Sequence, residues 1–370
     1  MGAGRHRTIR TQEKVVTGWH HAPPPGSRSG VADYAQRLGN ALQPHWDPST
    51  DLYHIGNNGL HLEIYTRAIE RPGIVVLHDA VLNHLLLGTL DRERYVAEFV
   101  HNYGEWRRDL AEELWERRAS SGVDPRYFEF GMLRRVVEAA RQVVVHNPGA
   151  ARLAREHGAG QVATIPHFFE FDGLPDACDA ARFRQRLGIA PSTVLFACFG
   201  YLRETKRLGP TLGAFRRLNA IYPDSALLLA GEPVSPALER YLSSEAQHPA
   251  IFRLGHMPEW DLLVAAEAVD CCVNLRYPAA GETSGIAIRL MGIGKPVILS
   301  EGEETSDFPL GTCLKVQAGV SEEPELFELM ALLAATPSLG RAIGATARKH
   351  IATRHNLEVV VEKYLRLLRT

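Results

Sequence analysis

Short apolar runs that alternate with longer amphipathic stretches, twice over along the chain, are the feature that most narrows what this sequence can fold into. Runs of four to seven apolar residues bounded by Gly, Pro and Asp suit strands buried on both faces. Such strands need helices to cover them, which is the pattern of a parallel sheet. In the first half the expected strands are Lys14–Trp19, Leu52–Ile55, Gly73–Leu77, Gln142–Val145 and Val162–Ile165. Helices are expected at Val31–Leu42 and Ala150–Glu156, with one long helix over Tyr95–Arg118. The second half repeats the pattern with strands at Thr193–Phe199, Ala226–Leu229, Ile251–Leu254, Cys271–Leu275 and Pro296–Leu299. The segment Pro166–Ala190 has no sustained period and reads as the linker. An amphipathic helix over Leu357–Leu368 closes the chain.

The chain is therefore expected to form two Rossmann-like, doubly wound domains, 1–170 and 171–370. Two such domains bring the carboxyl ends of both sheets to a shared cleft, where ligands of these folds bind. At 370 residues the chain is long enough for two cores. A formal net charge of −2 argues against a nucleic-acid partner, which would call for a basic excess. Five cysteines without CxxC spacing read as thiols of a reducing compartment. The start has no apolar core of a signal peptide, and no run approaches the roughly 20 apolar residues of a membrane span. The expectation is a cytoplasmic protein. Basic residues such as Arg107, Arg108, Arg117 and Arg118 alternate with glutamates, which suits a solvated helical face better than a peripheral contact with anionic lipid.

Four segments carry possible chemistry. In Cys271–Ser300 a strand leads through Gly281 to Ser284, which can cap a helix opening at Gly285. A helix N-terminus with free amides suits a diphosphate, and Glu282 beside it suits sugar hydroxyls or an oxocarbenium-like transition state. Simple helix capping explains the same residues. After the strand ending at Phe199, the cations Arg203, Lys206 and Arg207 read either as a neutralising set for pyrophosphate or as a solvated basic turn. In Pro23–Leu38, Gly30 lets backbone approach phosphates and Asp33 can touch a sugar hydroxyl, or the two simply open a helix. His78 and Asp79 end a strand that points into the cleft. No triplet of ligands at metal spacing is visible.

Together these segments resemble the family-four retaining glycosyltransferases of the GT-B fold, from Val15 to about Val361. The similar stretches are SGVADYAQRL, VVLHD and VVVHNPGAARLA in the first half, then FGYLRETKR, LLLAGEP, FRLGHMPEWDLLVAAEAVDCCVNL and GETSGIAIRLMGIGKPVILS. The resemblance implies transfer of a sugar from a nucleoside-diphosphate sugar, with retention and no further cofactor, and the cations and helix amides lead to the expectation that no metal is needed. The acceptor, whether glycan, lipid-linked sugar or protein, stays open. By the same resemblance Lys206 contacts the diphosphate, and Glu282, Thr283, Ser284, Gly285 and Ile286 hold the sugar and distal phosphate. His78 then lies near the reacting sugar, Met257 near the base, and Asp79 and Asp33 on the acceptor side. Three departures stand out. The two glutamates that relatives carry seven residues apart fall at Gly281 and Arg289, with Glu282 one place on. Tyr201 replaces an arginine, with Arg203 close by, and little chain separates Leu42 from Leu52. These departures leave a second reading, a catalytically silent protein that binds sugar nucleotides on the same fold.

Overall fold

The computed structural model describes residues 19–27, 29–47, 49–170 and 173–368. Among them, a first parallel sheet is built from β1 (His20–His21), β2 (Leu52–Ile55), β3 (Ile74–Leu77), β4 (Gln142–Val145) and β5 (Val162–Thr164), neighbouring one another in chain order. A second sheet is built from β6 (Val194–Phe199), β7 (Ser225–Ala230), β8 (Ile251–Leu254), β9 (Cys271–Asn274), β10 (Val297–Ser300) and β11 (Leu314–Val316). Its order is β11-β10-β9-β6-β7-β8, again all parallel, so the winding reverses between β6 and β9. The expected strand at Lys14–Trp19 lies outside the described residues apart from Trp19. The short strand β11 was not expected.

Side-chain alternation explains why the central strands of each sheet are mostly apolar on both faces. In the first, Tyr53, Ile55, Val75, Leu77, Val143 and Val145 feed the core on one face, while Leu52, Ile74, Val76 and Val144 feed the other. In the second, Leu195, Ala197 and Phe199 point one way and Phe196 and Cys198 the other. Successive residues of a strand face opposite sides, and with helices over both faces neither position can be polar at low cost. The five cysteines are free thiols, with Cys198, Cys271 and Cys272 inside these strands.

Two expectations are corrected. Tyr95–Arg118 is two helices, Arg92–Tyr103 and Arg108–Glu116, because the chain turns at Gly104 with φ +91, a conformation open to glycine. Pro166–Ala190 contains a helix, Ala177–Arg186, nucleated by a reciprocal cap between Asp176 and Asp179. The last helix, Leu357–Leu367, crosses back to the first sheet, where Val360 and Tyr364 join Trp19, Tyr34 and Leu38 in one core. The Tyr34 and Tyr364 hydroxyls lie 3.3 Å apart.

Candidate functional site

The loop after β9 is held from both units. Gly281 has φ +73, and a Cβ there would lie 2.6 Å from the Cβ of Ala80, so only glycine admits this approach. The amides of Ala80 and Val81, just beyond β3, donate to the Ala280 carbonyl at 2.8 and 3.0 Å. Asn147 Nδ2 donates to the Gly281 carbonyl at 2.9 Å and to Thr283 Oγ1 at 3.1 Å. Ser284 caps the helix Gly285–Gly292, its Oγ accepting from the Ala287 amide and from Asn274 Nδ2. Glu282 accepts from the Ala280 amide at 2.7 Å and pairs with Arg276 at 3.4 Å.

On the other side of that loop, β6 delivers Gly200 and the short turn Glu204–Lys206. Lys206 is 5% exposed and its Nζ donates to the Phe199 carbonyl. Burial, then the charge of Arg276, lowers its pKa to about 7. A Cβ on Gly200 would lie 3.3 Å from Lys206 Nζ and 3.4 Å from Ile286 Cγ1. The ammonium and the first turn of the helix Gly285–Gly292 thus converge on one glycine. Arg203 is exposed and close enough to bear electrostatically on Asp79 and His84 of the first unit.

Asp79 accepts from the Asn57 amide at 2.8 Å, and burial followed by the nearby Glu282 charge pushes its pKa up to about 7. His78, only 8% exposed, belongs to a buried imidazole array. Its Nε2 lies 3.0 Å from His54 Nδ1, and His54 Nε2 lies 3.1 Å from His20 Nε2. The His146 ring and the Tyr34 ring are each 4.9 Å from that of His78. Burial, then the neighbouring imidazoles, holds His78 and His54 well below the ordinary value, so both are neutral near pH 7.

Further along the interface, Gly30 opens the helix Gly30–Leu42, and a Cβ there would meet nothing within 4 Å. Arg37 of that helix pairs with Glu259 at 3.0 Å, and Glu259 also lies 4.0 Å from Arg289. Asp33 sits in the field of Arg289 and Glu259, with its pKa raised mainly by burial. Met257 precedes this cluster and packs against the core of the second sheet.

Three groups not anticipated from the sequence matter here. Arg276 touches Glu282 and lies near Lys206 and Asp79; a cation just beyond the β9 strand was the available signal. Asn147 bridges to the loop from β4, and His167 approaches Gly285, its Nε2 3.4 Å from where a Cβ would be. Neither has a local signature, because each acts on a segment more than a hundred residues away. Glu282, Thr283 and Ser284 also wall a cavity of about 340 Å³ on the β10 side of the loop; Lys206 is not on its wall. Among the described residues no three His, Cys, Asp or Glu side chains are grouped to hold a metal, and no single helix is long and apolar enough to cross a membrane.

The two parallel-sheet units facing each other across these loops are the GT-B fold. No protein-family profile and no curated protein matches the sequence. Among solved structures, the chain is similar to Anabaena HepE in complex with UDP-glucose, at TM-score 0.64 and 14% identity over 92% of this chain and 84% of that one. It is also similar to sucrose-phosphate synthase of Thermosynechococcus elongatus, at TM-score 0.58 and 16% identity over 90% and 77%. WaaG, a glycosyltransferase of lipopolysaccharide biosynthesis, matches at TM-score 0.58 and 13% identity over 93% and 85%.

Proposed function

We propose that this chain is a glycosyltransferase that moves a sugar from a nucleoside-diphosphate sugar to an acceptor hydroxyl, with retention and without a metal ion. The observation that carries the reading is the convergence of Lys206 and the first turn of the helix Gly285–Gly292 on Gly200. An ammonium and free helix amides aimed at one spot can take the charge of a departing diphosphate, with Arg203 adding a second cation from the solvent side. In the reaction the bond from the anomeric carbon to the diphosphate oxygen breaks and the acceptor oxygen bonds that carbon. The acceptor proton passes to the leaving diphosphate. Glu282, with Asp79 beside it, meets the sugar as positive charge develops on its ring. The first unit closes on the donor held by the second. UDP-glucose, the ligand of HepE in its complex, is the first donor to try.

A silent sugar-nucleotide binder is the second reading, favoured by Arg289, which stands near Glu259 and Asp33 where relatives place a carboxylate. Two substitutions separate them. Lys206→Ala should weaken nucleoside-diphosphate binding and slow donor turnover on the order of 10²-fold, whereas Glu282→Gln should spare nucleotide affinity and cut turnover comparably. Calorimetry and nucleotide release on the same preparations measure both. A wild-type protein that binds a sugar nucleotide yet neither transfers nor hydrolyses it is the silent binder. The anomer of the product, read by NMR, decides retention, and activity lost to a chelator and restored by a divalent ion would overturn the metal-free mechanism.

A further inference from the structure

The cavity beyond the donor loop holds about 340 Å³ between that loop, the segment Ser300–Thr305 that leads out of β10, and Phe128 of the first unit. On its wall Asn274 is 3% exposed, and its Oδ1 has no hydrogen-bond partner although its Nδ2 donates to Ser284. Arg276, also on the wall, has a buried Nε without a hydrogen bond, its pairing with Glu282 being long at 3.4 Å. A buried acceptor left unpaired is costly, and a ligand O–H or N–H in the cavity recovers that cost. Capping of the helix uses Ser284 and leaves the Asn274 oxygen over.

Charge and shape narrow what such a ligand is. Glu129, Glu282, Glu301 and Glu304 face the cavity against the single guanidinium of Arg276. An anion would meet a surplus of carboxylates. A ring of hydroxyls instead offers donors to those carboxylates and to Asn274 Oδ1, takes a donor from Arg276, and lays its C–H face on Phe128. Glu282 lies at the boundary, because it walls the cavity and also neighbours Asp79 and Arg276, the latter close to Lys206. The donor diphosphate belongs on the β6 side of the loop, so the β10 side is free for the second substrate.

We propose that this cavity is the acceptor seat, and that the acceptor presents to it an uncharged or amine-bearing sugar ring, not a sugar phosphate or a uronic acid. This rests on reading the protein as a sugar transferase, yet the cavity can be tested without any nucleotide. The probes are the methyl glycosides of glucose, galactose and mannose, with the corresponding amino sugars and uronates, titrated into the full chain by ligand-observed NMR. At least one neutral or amino ring should bind, and its uronate counterpart at least tenfold more weakly. In the double variant Glu301→Gln, Glu304→Gln the uronate should come within about threefold of the neutral ring, and Phe128→Ala should weaken the neutral ring fivefold or more. Binding of the ring should persist when a sugar nucleotide is added. No binding by any ring, equal affinity for ring and uronate in the wild type, a uronate deficit unchanged in the double variant, or indifference to Phe128→Ala each overturns the proposal. Displacement of the ring by a sugar nucleotide but not by the nucleoside diphosphate would make the cavity the seat of the donor's own sugar, and overturns it as well. Absence of sugar-nucleotide binding would sink the transferase reading alone, since the ring titrations stand independently.

Discussion

The two sheets share strand chemistry and differ in winding, and the difference decides which of them can hold a ligand. In the second sheet the chain leaves β6 toward β7 and leaves β9 toward β10, in opposite directions, although β6 and β9 are neighbours. Their outgoing loops part at the carboxyl ends, and the crevice between them is where ligands of open parallel sheets bind. Lys206 stands on one side of it and the helix Gly285–Gly292 on the other. In the first sheet the described strands follow chain order, so successive loops lean the same way and no such crevice opens. The end of β3 is instead filled by His78, bonded to buried His54, which is bonded in turn to half-buried His20. In the proposed transfer the second unit holds the donor and the first closes on it.

The contact that closes it should be the most sensitive point. Gly281→Ala places a methyl 2.6 Å from Ala80 Cβ on a backbone with φ +73, which pushes the donor loop off the first unit. Turnover should fall on the order of 10²-fold, as expected when reacting groups are displaced by an ångström, with nucleotide affinity within about threefold of wild type. Equal losses in binding and turnover would mean that the first unit holds the nucleotide too, and the contrast would fail.

A smaller effect sharpens the electrostatic side of the comparison. In the free protein Lys206 is protonated below about pH 7 and loses its charge above it, while its unperturbed value is 10.5. A bound diphosphate stabilises the ammonium, so binding takes up a proton between those limits. Nucleoside-diphosphate affinity should therefore be highest below pH 7 and decline above it, by up to about tenfold per pH unit. Asp79, ionising near the same pH, acts in the same direction by adding negative charge. Calorimetry in buffers of different ionisation enthalpy measures the proton uptake, and Lys206→Met should remove most of it. An unaltered slope in that variant would place the responsible group elsewhere.

The smallest effect on ligand binding is expected from the heart of the first unit. His54→Leu strips partners from His20 and His78, and leaving two buried ring nitrogens unpaired should cost on the order of 1–3 kcal/mol apiece in unfolding free energy. Nucleotide affinity should stay within about twofold. Denaturant melts and calorimetry give both numbers, and a large drop in affinity would show that the array belongs to the nucleotide site.

Much of the fold was legible because its signals are local. Parallel strands covered by helices on both faces carry mostly apolar residues, so the bounds of β2, β4 and β8 were readable even though each admits one polar residue, and Ser284 was readable as a cap because capping spans four positions. The cations after β6 and the carboxylate at Glu282 were legible as candidates but not in their setting. Nothing near Lys206 in the chain says that it is buried under Gly200, and nothing near Glu282 says that it faces Arg276 and neighbours Asp79.

By itself, then, the sequence determined the two apolar sheets, the helix opening at Gly285 and the presence of cations and carboxylates at strand ends, since each depends on residues within a few positions of one another. Tertiary structure alone decided that the last helix returns to the first sheet, that Gly281 and Ala80 touch, that His78 joins a buried array, and that Asn274 keeps an unpaired oxygen beside a cavity. These depend on segments distant in the chain, more than three hundred residues apart in the case of the last helix. The charges of Glu282, Arg203 and Arg276 reach Asp79 only once both units have met, whereas the burial that lowers Lys206 is joined by charges within the second unit.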